Sequence, residues 1–191
     1  MWPRLGSSSF TTQWIVATLT CSLVAVFDGG WLARWFALAP HRIWHGEVWR
    51  LVTWPLVEPG PLGLVITCLA IYKFGGELAV RWGDRRLRRF IIEVVVAASV
   101  VTCLVAAVSG RFVFRLGGWA MVDTLVIAWA RQFPQRALVV YGMVTLRGRD
   151  LIRLTIAVAI LYALYISPVA MAPELVACIA AALYPSSRLH K

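Results

Sequence analysis

Trp49–Gly83 reads WRLVTWPLVEPGPLGLVITCLAIYKFGGELAVRWG and changes character near Pro61. Before that proline, tryptophan, arginine and proline are interleaved with aliphatic residues, a mixture that seats a chain in the headgroup region rather than across the hydrocarbon. After it, apolar residues dominate to Val80, which is about the 20 that a helix needs to cross a bilayer at 1.5 Å per residue. The run stops at Arg81-Trp82-Gly83-Asp84-Arg85-Arg86-Leu87-Arg88-Arg89, the densest basic cluster in the chain. An interfacial segment that leads into a span ending on a basic loop is the unit around which the remainder is arranged.

The composition agrees with that reading. Of 191 residues, 60% are hydrophobic and 15% charged, and the mean hydropathy is +0.75, more apolar than one soluble core can bury. The expected class is a polytopic membrane protein. The net charge of +10 comes from arginines concentrated in short connectors between apolar runs, the distribution of cytoplasmic loops and not of a nucleic-acid-binding face. Cys21, Cys68, Cys103 and Cys178 all sit in apolar runs without CxxC spacing or neighbouring histidines, so no metal site, disulfide framework or cofactor is expected. At the amino end an apolar run follows a single arginine but no A-x-A cleavage pattern follows it, which reads as an uncleaved first span.

Working outward gives six spans, at about 13–27, 61–80, 90–108, 117–130, 154–166 and 174–184. Between the first two, Trp31, Trp35, Phe36, Trp44, Trp49 and Trp54 alternate with Arg34, His41, Arg42, His45 and Arg50, the composition of helices lying in the interface. The connector from Arg131 to Arg153 is basic, with an apolar stretch from Ala137 to Leu146 expected to rest in the interface. Six spans put both ends and every strongly basic connector on the cytoplasmic side. The expected organisation is a cytoplasmic tail over 1–12, a six-helix membrane domain over 13–186 and a basic cytoplasmic tail over 187–191. The expected location is a plasma or inner membrane, and the oligomeric state is left open.

Trp49-Arg50 with Thr53 three residues on, and Phe74-Gly75 followed by Gly83, are similar to the first-loop and FGxxLExxxG motifs of rhomboid intramembrane proteases. The acidic residue of the latter motif falls on Ala79. The resemblance implies an all-α bundle of six transmembrane helices with an interfacial first loop, and structural roles for Trp49, Arg50, Gly75, Gly83 and Gly117. It also implies where catalytic groups should stand. The histidine and asparagine that help hold an oxyanion fall on Gly63 and Thr67, the nucleophilic serine on Trp119, and the histidine base on Glu174. Glycine offers no side-chain donor and tryptophan no nucleophile, and all three histidines, His41, His45 and His190, lie elsewhere. The chain therefore resembles the inactive, derlin-like members of the superfamily, whose role implies transmembrane segments of client proteins and the lipid bilayer as partners.

Asp123 lies one helical turn from Trp119, and Glu174 opens the last span. Ionisable groups in a bilayer are costly and often functional, so the two form a candidate polar cavity, against the alternative that each is satisfied by a neighbour. Arg89 and Glu93, four apart, are expected to pair, and Lys73 to snorkel. Three other functions stay open: an active rhomboid protease with a rearranged site, for which Ser109 and Ser167 lie near the same face as His41 and His45; a proton-coupled transporter using Asp123 and Glu174; and a structural subunit of a membrane complex.

Overall fold

The computed structural model describes residues 9–110, 112–140, 144–165 and 171–184. Ser167, His190, most of the expected amino-terminal tail and the basic tail lie outside the described residues.

Helix α1, Ser9–Phe27, starts one turn before the expected Gln13. It ends at Asp28, whose carboxylate accepts from Gly30 N–H and Leu32 N–H, both at 2.8 Å, and so caps α2, Trp31–Phe36. Two more short helices follow, α3 at Pro40–Ile43 and α4 at Arg50–Thr53, and then a 3-10 turn at Trp54–Leu56. The second span is α5, Pro61–Ala70, continued through a π-helical turn, Ile71–Gly75, into α6, Gly76–Trp82. Gly75 closes that turn facing α1, and a Cβ there would stand 3.4 Å from Thr11 Cγ2. At Gly83 the backbone takes φ +82°, the left-handed region that favours glycine, and α7 begins directly after it, Asp84–Ser109. Helix α8 is Trp119–Gln132, α9 Gly148–Tyr165 and α10 Ala172–Leu183.

The fold is that of an all-α membrane protein with one small addition. Within the stretch expected to rest in the interface, Ala137–Val140 (β1) and Val144–Arg147 (β2) pair antiparallel, Ala137 opposite Arg147. This is a local hairpin made by consecutive β-branched and aliphatic residues.

Helices appear in the order and near the positions of all six expected spans. Three of them, Ser9–Phe27, Pro61–Trp82 and Asp84–Ser109, are long and apolar enough to cross a membrane by themselves, and α10 is apolar but shorter. For α8 the reason is its place: ten of its fourteen residues are buried against α5, α7, α9 and α10. A helix wrapped by others needs neither a lipid-facing surface nor full hydrocarbon length. Helix α9 instead spends its first turns on Arg149, Asp150 and Arg153.

The segment between the first two spans is tied down by its tryptophan–arginine pair. Arg50 is fully buried; its Nη1 donates to Arg34 O at 2.7 Å and Ala37 O at 2.8 Å, and its Nε to Glu47 at 2.5 Å. Thr53 Oγ1 donates to Phe36 O at 3.2 Å. Trp49 stacks on Trp35, which stacks on Trp31, with ring centroids 5.3 and 5.4 Å apart. Trp54 is buried and its Nε1–H donates to Ser99 on α7 at 2.9 Å. Trp31, Trp35 and Trp44 keep exposed faces, as expected of rings at a water–lipid boundary.

Candidate functional site at the amino end of α8

The sequence positions singled out around span two and span four meet at one residue that the sequence reading passed over. Glu58 lies between the 3-10 turn and α5 and is only 4% exposed. Its Oε1 accepts from Thr67 Oγ1 at 2.6 Å and from Gly118 N–H at 2.5 Å, and its own N–H donates to Ser22 Oγ on α1 at 3.0 Å. The carboxylate thus caps α8, placing negative charge against the positive end of the helix dipole and satisfying an N–H that the helix itself leaves free.

Glycines make room for this arrangement. A Cβ on Gly63 would come within 2.9 Å of Glu58 Oε2, and one on Gly118 within 2.9 Å of Oε1 and 2.8 Å of Thr67 Cγ2. Gly117, at φ +114°, brings its Cα side within reach of the same carboxylate, while its N–H donates to Trp54 O at 3.3 Å. Trp119 borders the cluster, its Nε1 3.9 Å from where a Gly63 Cβ would lie, and it stays 45% exposed. Gly63, Thr67, Gly117 and Trp119 therefore do come together, and they surround a carboxylate. Glu58 Oε2 is buried with no partner.

The two acids of the candidate polar cavity also come together, on the facing sides of α8 and α10. Glu174 is buried and paired with Arg115, from the segment that precedes α8. Arg115 is itself strapped to the interfacial segment: its N–H donates to Leu38 O at 3.1 Å and its carbonyl accepts from Leu38 N–H at 2.9 Å. One turn further along α10, Cys178 Sγ–H donates to Asp123 Oδ2 at 3.8 Å. Asp123 is half-buried. Among the described residues, Arg115 Nε and Glu174 Oε2 remain buried without partners.

Other expectations concern single residues. Arg89 Nε pairs with Glu93 at 2.7 Å, as their spacing predicts. Lys73, expected to snorkel, binds Glu77 at 2.9 Å, and Glu77 also accepts from Trp129 Nε1 at 2.8 Å and Arg136 Nη1 at 2.7 Å. That acid stands two residues before Ala79 and ties α6 to α8 and to the connector beyond it. For a rearranged serine–histidine pair, Ser109 Oγ donates back to Ala106 O at 3.4 Å, while the His41 ring lies against Phe112 at 4.8 Å and His45 Nδ1 is 2.6 Å from His41 O. Among the described residues no group of three or more histidine, cysteine or acidic side chains could hold a metal ion.

Glu58 had a signal in the sequence: it is the only acid between Glu47 and Glu77, set among aliphatic residues and prolines at the mouth of a span. Such an acid needs a partner. Nothing local names that partner, since Gly118 lies sixty residues on. Nothing in the sequence singled out Arg115.

The family described as eukaryotic integral membrane protein (DUF1751) matches residues 10–185. Derlin-1 of Arabidopsis thaliana is 29% identical over 139 residues, which are 72% of this chain and 50% of the derlin. The chain thus spans about half the length of the curated relative it matches.

Proposed function

The chain belongs to the eukaryotic integral membrane protein family DUF1751 and is a derlin-like, rhomboid-like membrane protein, and on that footing we propose that it binds transmembrane segments of client proteins without cleaving them. The observation that carries the proposal is the carboxylate at the amino end of α8. Acyl transfer needs a nucleophile beside a base, and N–H donors free to meet a developing oxyanion. Here Gly118 N–H is already engaged by Glu58, Glu174 is locked to Arg115, and the resemblance puts Trp119, which has no nucleophile, where the serine would be. A carboxylate in that place also repels the negative charge that a tetrahedral intermediate develops.

Binding would be lateral, from the bilayer. Leu62, Val65, Leu69 and Tyr72 on span two, and Leu154, Val158, Leu161 and Tyr165 on α9, present exposed apolar side chains. A client helix with polar or helix-breaking residues relieves mismatch beside the short helix α10. The basic runs Arg85–Arg89 and Arg147–Arg153 support placing the connectors that hold them, and both chain ends, in the cytoplasm, with a plasma or inner membrane as the setting.

The test is a reconstituted assay with purified protein and a single-span substrate carrying a helix-breaking segment, read by mass for new fragments and by photo-crosslinking for capture. Capture without a fragment is the expected result. A fragment that disappears in Ser109→Ala or Glu174→Ala would refute the non-cleaving assignment, and failure of any transmembrane segment to crosslink would refute client binding.

A further inference from the structure

A groove of about 340 Å³ opens between α1 and α7, away from the α8 cluster. Phe10, Trp14 and Ala17 form one wall, Ile91, Ile92 and Val95 the other; Met121 of α8 lies at the back, and Val52 and Leu56 of the interfacial segment close one end. Its polar lining residues are Gln13 and Arg88. Both stand at the opposite end from Leu56, as a second contact establishes. Ser9 Oγ–H and Phe10 N–H at the start of α1 donate to Asp84 at the start of α7, at 3.0 and 3.3 Å. Gln13 and Arg88 therefore sit about one turn above that tie, at the same level, and the apolar lining continues from them for about two turns, or ~10 Å, to Val95.

We propose that this groove holds one acyl chain of an anionic phospholipid, with Arg88 and Gln13 on its phosphate. The walls belong to two helices that cross the membrane unaided, so what enters comes from the bilayer. A client helix does not fit, because it is 10–12 Å across and must continue for about 30 Å, whereas the groove ends beneath Leu56. Charge selects the headgroup. Arg88 is exposed and, among the described residues, makes no ion pair, whereas Arg85 and Arg86 lie outside the groove lining. Asp84, one turn before Arg88 on α7, is occupied by the start of α1, and Glu93 by Arg89. A phosphate accepts charge-assisted hydrogen bonds from a guanidinium in a planar, paired geometry, and the net negative charge of an anionic headgroup adds an attraction that a zwitterionic one lacks.

The experiment is native mass spectrometry of the full chain, reconstituted in equal parts phosphatidylserine and phosphatidylcholine and released from mixed micelles. The wild-type protein should retain one phosphatidylserine through gas-phase activation. Arg88→Gln should lower that retention by about tenfold, the worth of one charge-assisted contact. Ala17→Trp, which fills the groove, should abolish retention of either lipid, while Arg85→Gln, outside the groove, should leave it unchanged. Equal losses in Arg85→Gln and Arg88→Gln would mean only a diffuse basic surface and would overturn the site, as would a chain retained in Ala17→Trp. Should either variant fold poorly, the thermal midpoint of the lipid-stripped wild-type protein decides: it should rise on adding phosphatidylserine and not phosphatidylcholine, and an equal rise with both overturns the headgroup assignment.

Discussion

Removing the Glu58 carboxylate tests whether the amino end of α8 is a closed structural site. In Glu58→Ala, Gly118 N–H loses its cap and Thr67 its acceptor, in a cluster that water enters poorly because Glu58 and Thr67 are both buried. A lost cap costs ~0.5–2 kcal/mol, and a hydrogen bond to a charged group is worth ~1.5–3 kcal/mol. One oxygen accepts both bonds, so the terms overlap, and the variant also escapes the cost of burying a carboxylate with one oxygen unpaired. The net expectation is a loss of about 2–3 kcal/mol for Glu58→Ala, and about 1 kcal/mol for Glu58→Gln, which keeps the acceptor and drops the charge. Thr67→Val should cost about 1 kcal/mol, and the double variant should fall short of additivity by about the same amount. Reversible unfolding in mixed micelles, followed by tryptophan fluorescence, measures all four. The reasoning fails if Glu58→Ala lies within about 0.5 kcal/mol of the parent or if the two substitutions simply add.

Further expectations rest on other contacts. Arg50→Lys should destabilise the interfacial segment by about 2–4 kcal/mol, because one ammonium cannot reach Glu47, Arg34 O and Ala37 O together; limited proteolysis between Gly29 and Glu58 would report it. Hydrogen bonding by Arg50, reinforced by the charges of Arg50 and Arg42, holds the Glu47 carboxyl below its ordinary value. That contribution to stability is fully present above the unfolded glutamate pKa of about 4.3 and is lost as pH falls through the lower folded value, so Glu47→Gln should flatten the acid limb of a stability–pH profile. Gly118→Ala should cost about 1–3 kcal/mol through its 2.8 Å approach to Thr67 Cγ2, whereas Gly76→Ala, with nothing within 4 Å, should be neutral or stabilise by up to ~1 kcal/mol. In hydrogen exchange the amides of α9 should open before those of α8, since α9 is half-exposed and α8 is wrapped on all sides; equal protection would contradict that order.

The long helices were legible because hydropathy writes them directly. Pro61 and Gly117-Gly118 marked boundaries within a residue or two, whereas the third span, expected from 90, begins six residues earlier at Asp84, directly after Gly83. What stayed hidden depends on distance along the chain. Glu58 meets Gly118, Arg115 meets Glu174 and Glu77 meets Arg136, each pair separated by about sixty positions. No periodicity links such partners. Gly63, Thr67, Gly117 and Trp119, the positions the resemblance picked out, converge in space, but it described all but Gly117 by the group it lacked. The residue that occupies the space they leave, Glu58, came from the segment just before span two.

Those long-range ties are unevenly distributed, and the unevenness bears on how a bilayer-embedded scaffold could admit a client. Helices α1, α5, α7, α8 and α10 are each joined at or near the interfacial segment through a buried polar contact: Ser22 and Thr67 with Glu58, Ser99 with Trp54, Gly118 with Glu58, Glu174 with Arg115. Helix α9 is fastened at its start, where Gly148 N–H donates to Arg136 O at 3.1 Å and a Cβ would strike Phe133 O at 2.6 Å. Beyond that point it is held by Ile152, Ile156 and Ala159 packing on the core. In lipid such packing is exchangeable, because an acyl chain or another helix offers equivalent contacts, whereas an ion pair or a capped N–H has no substitute there. Among the described residues, displacing α9 beyond its start would break apolar packing and no hydrogen bond or ion pair to another helix. It would expose Val122 and Val126 of α8, which now pack with Ala70, Phe74 and Leu151 between span two and α9.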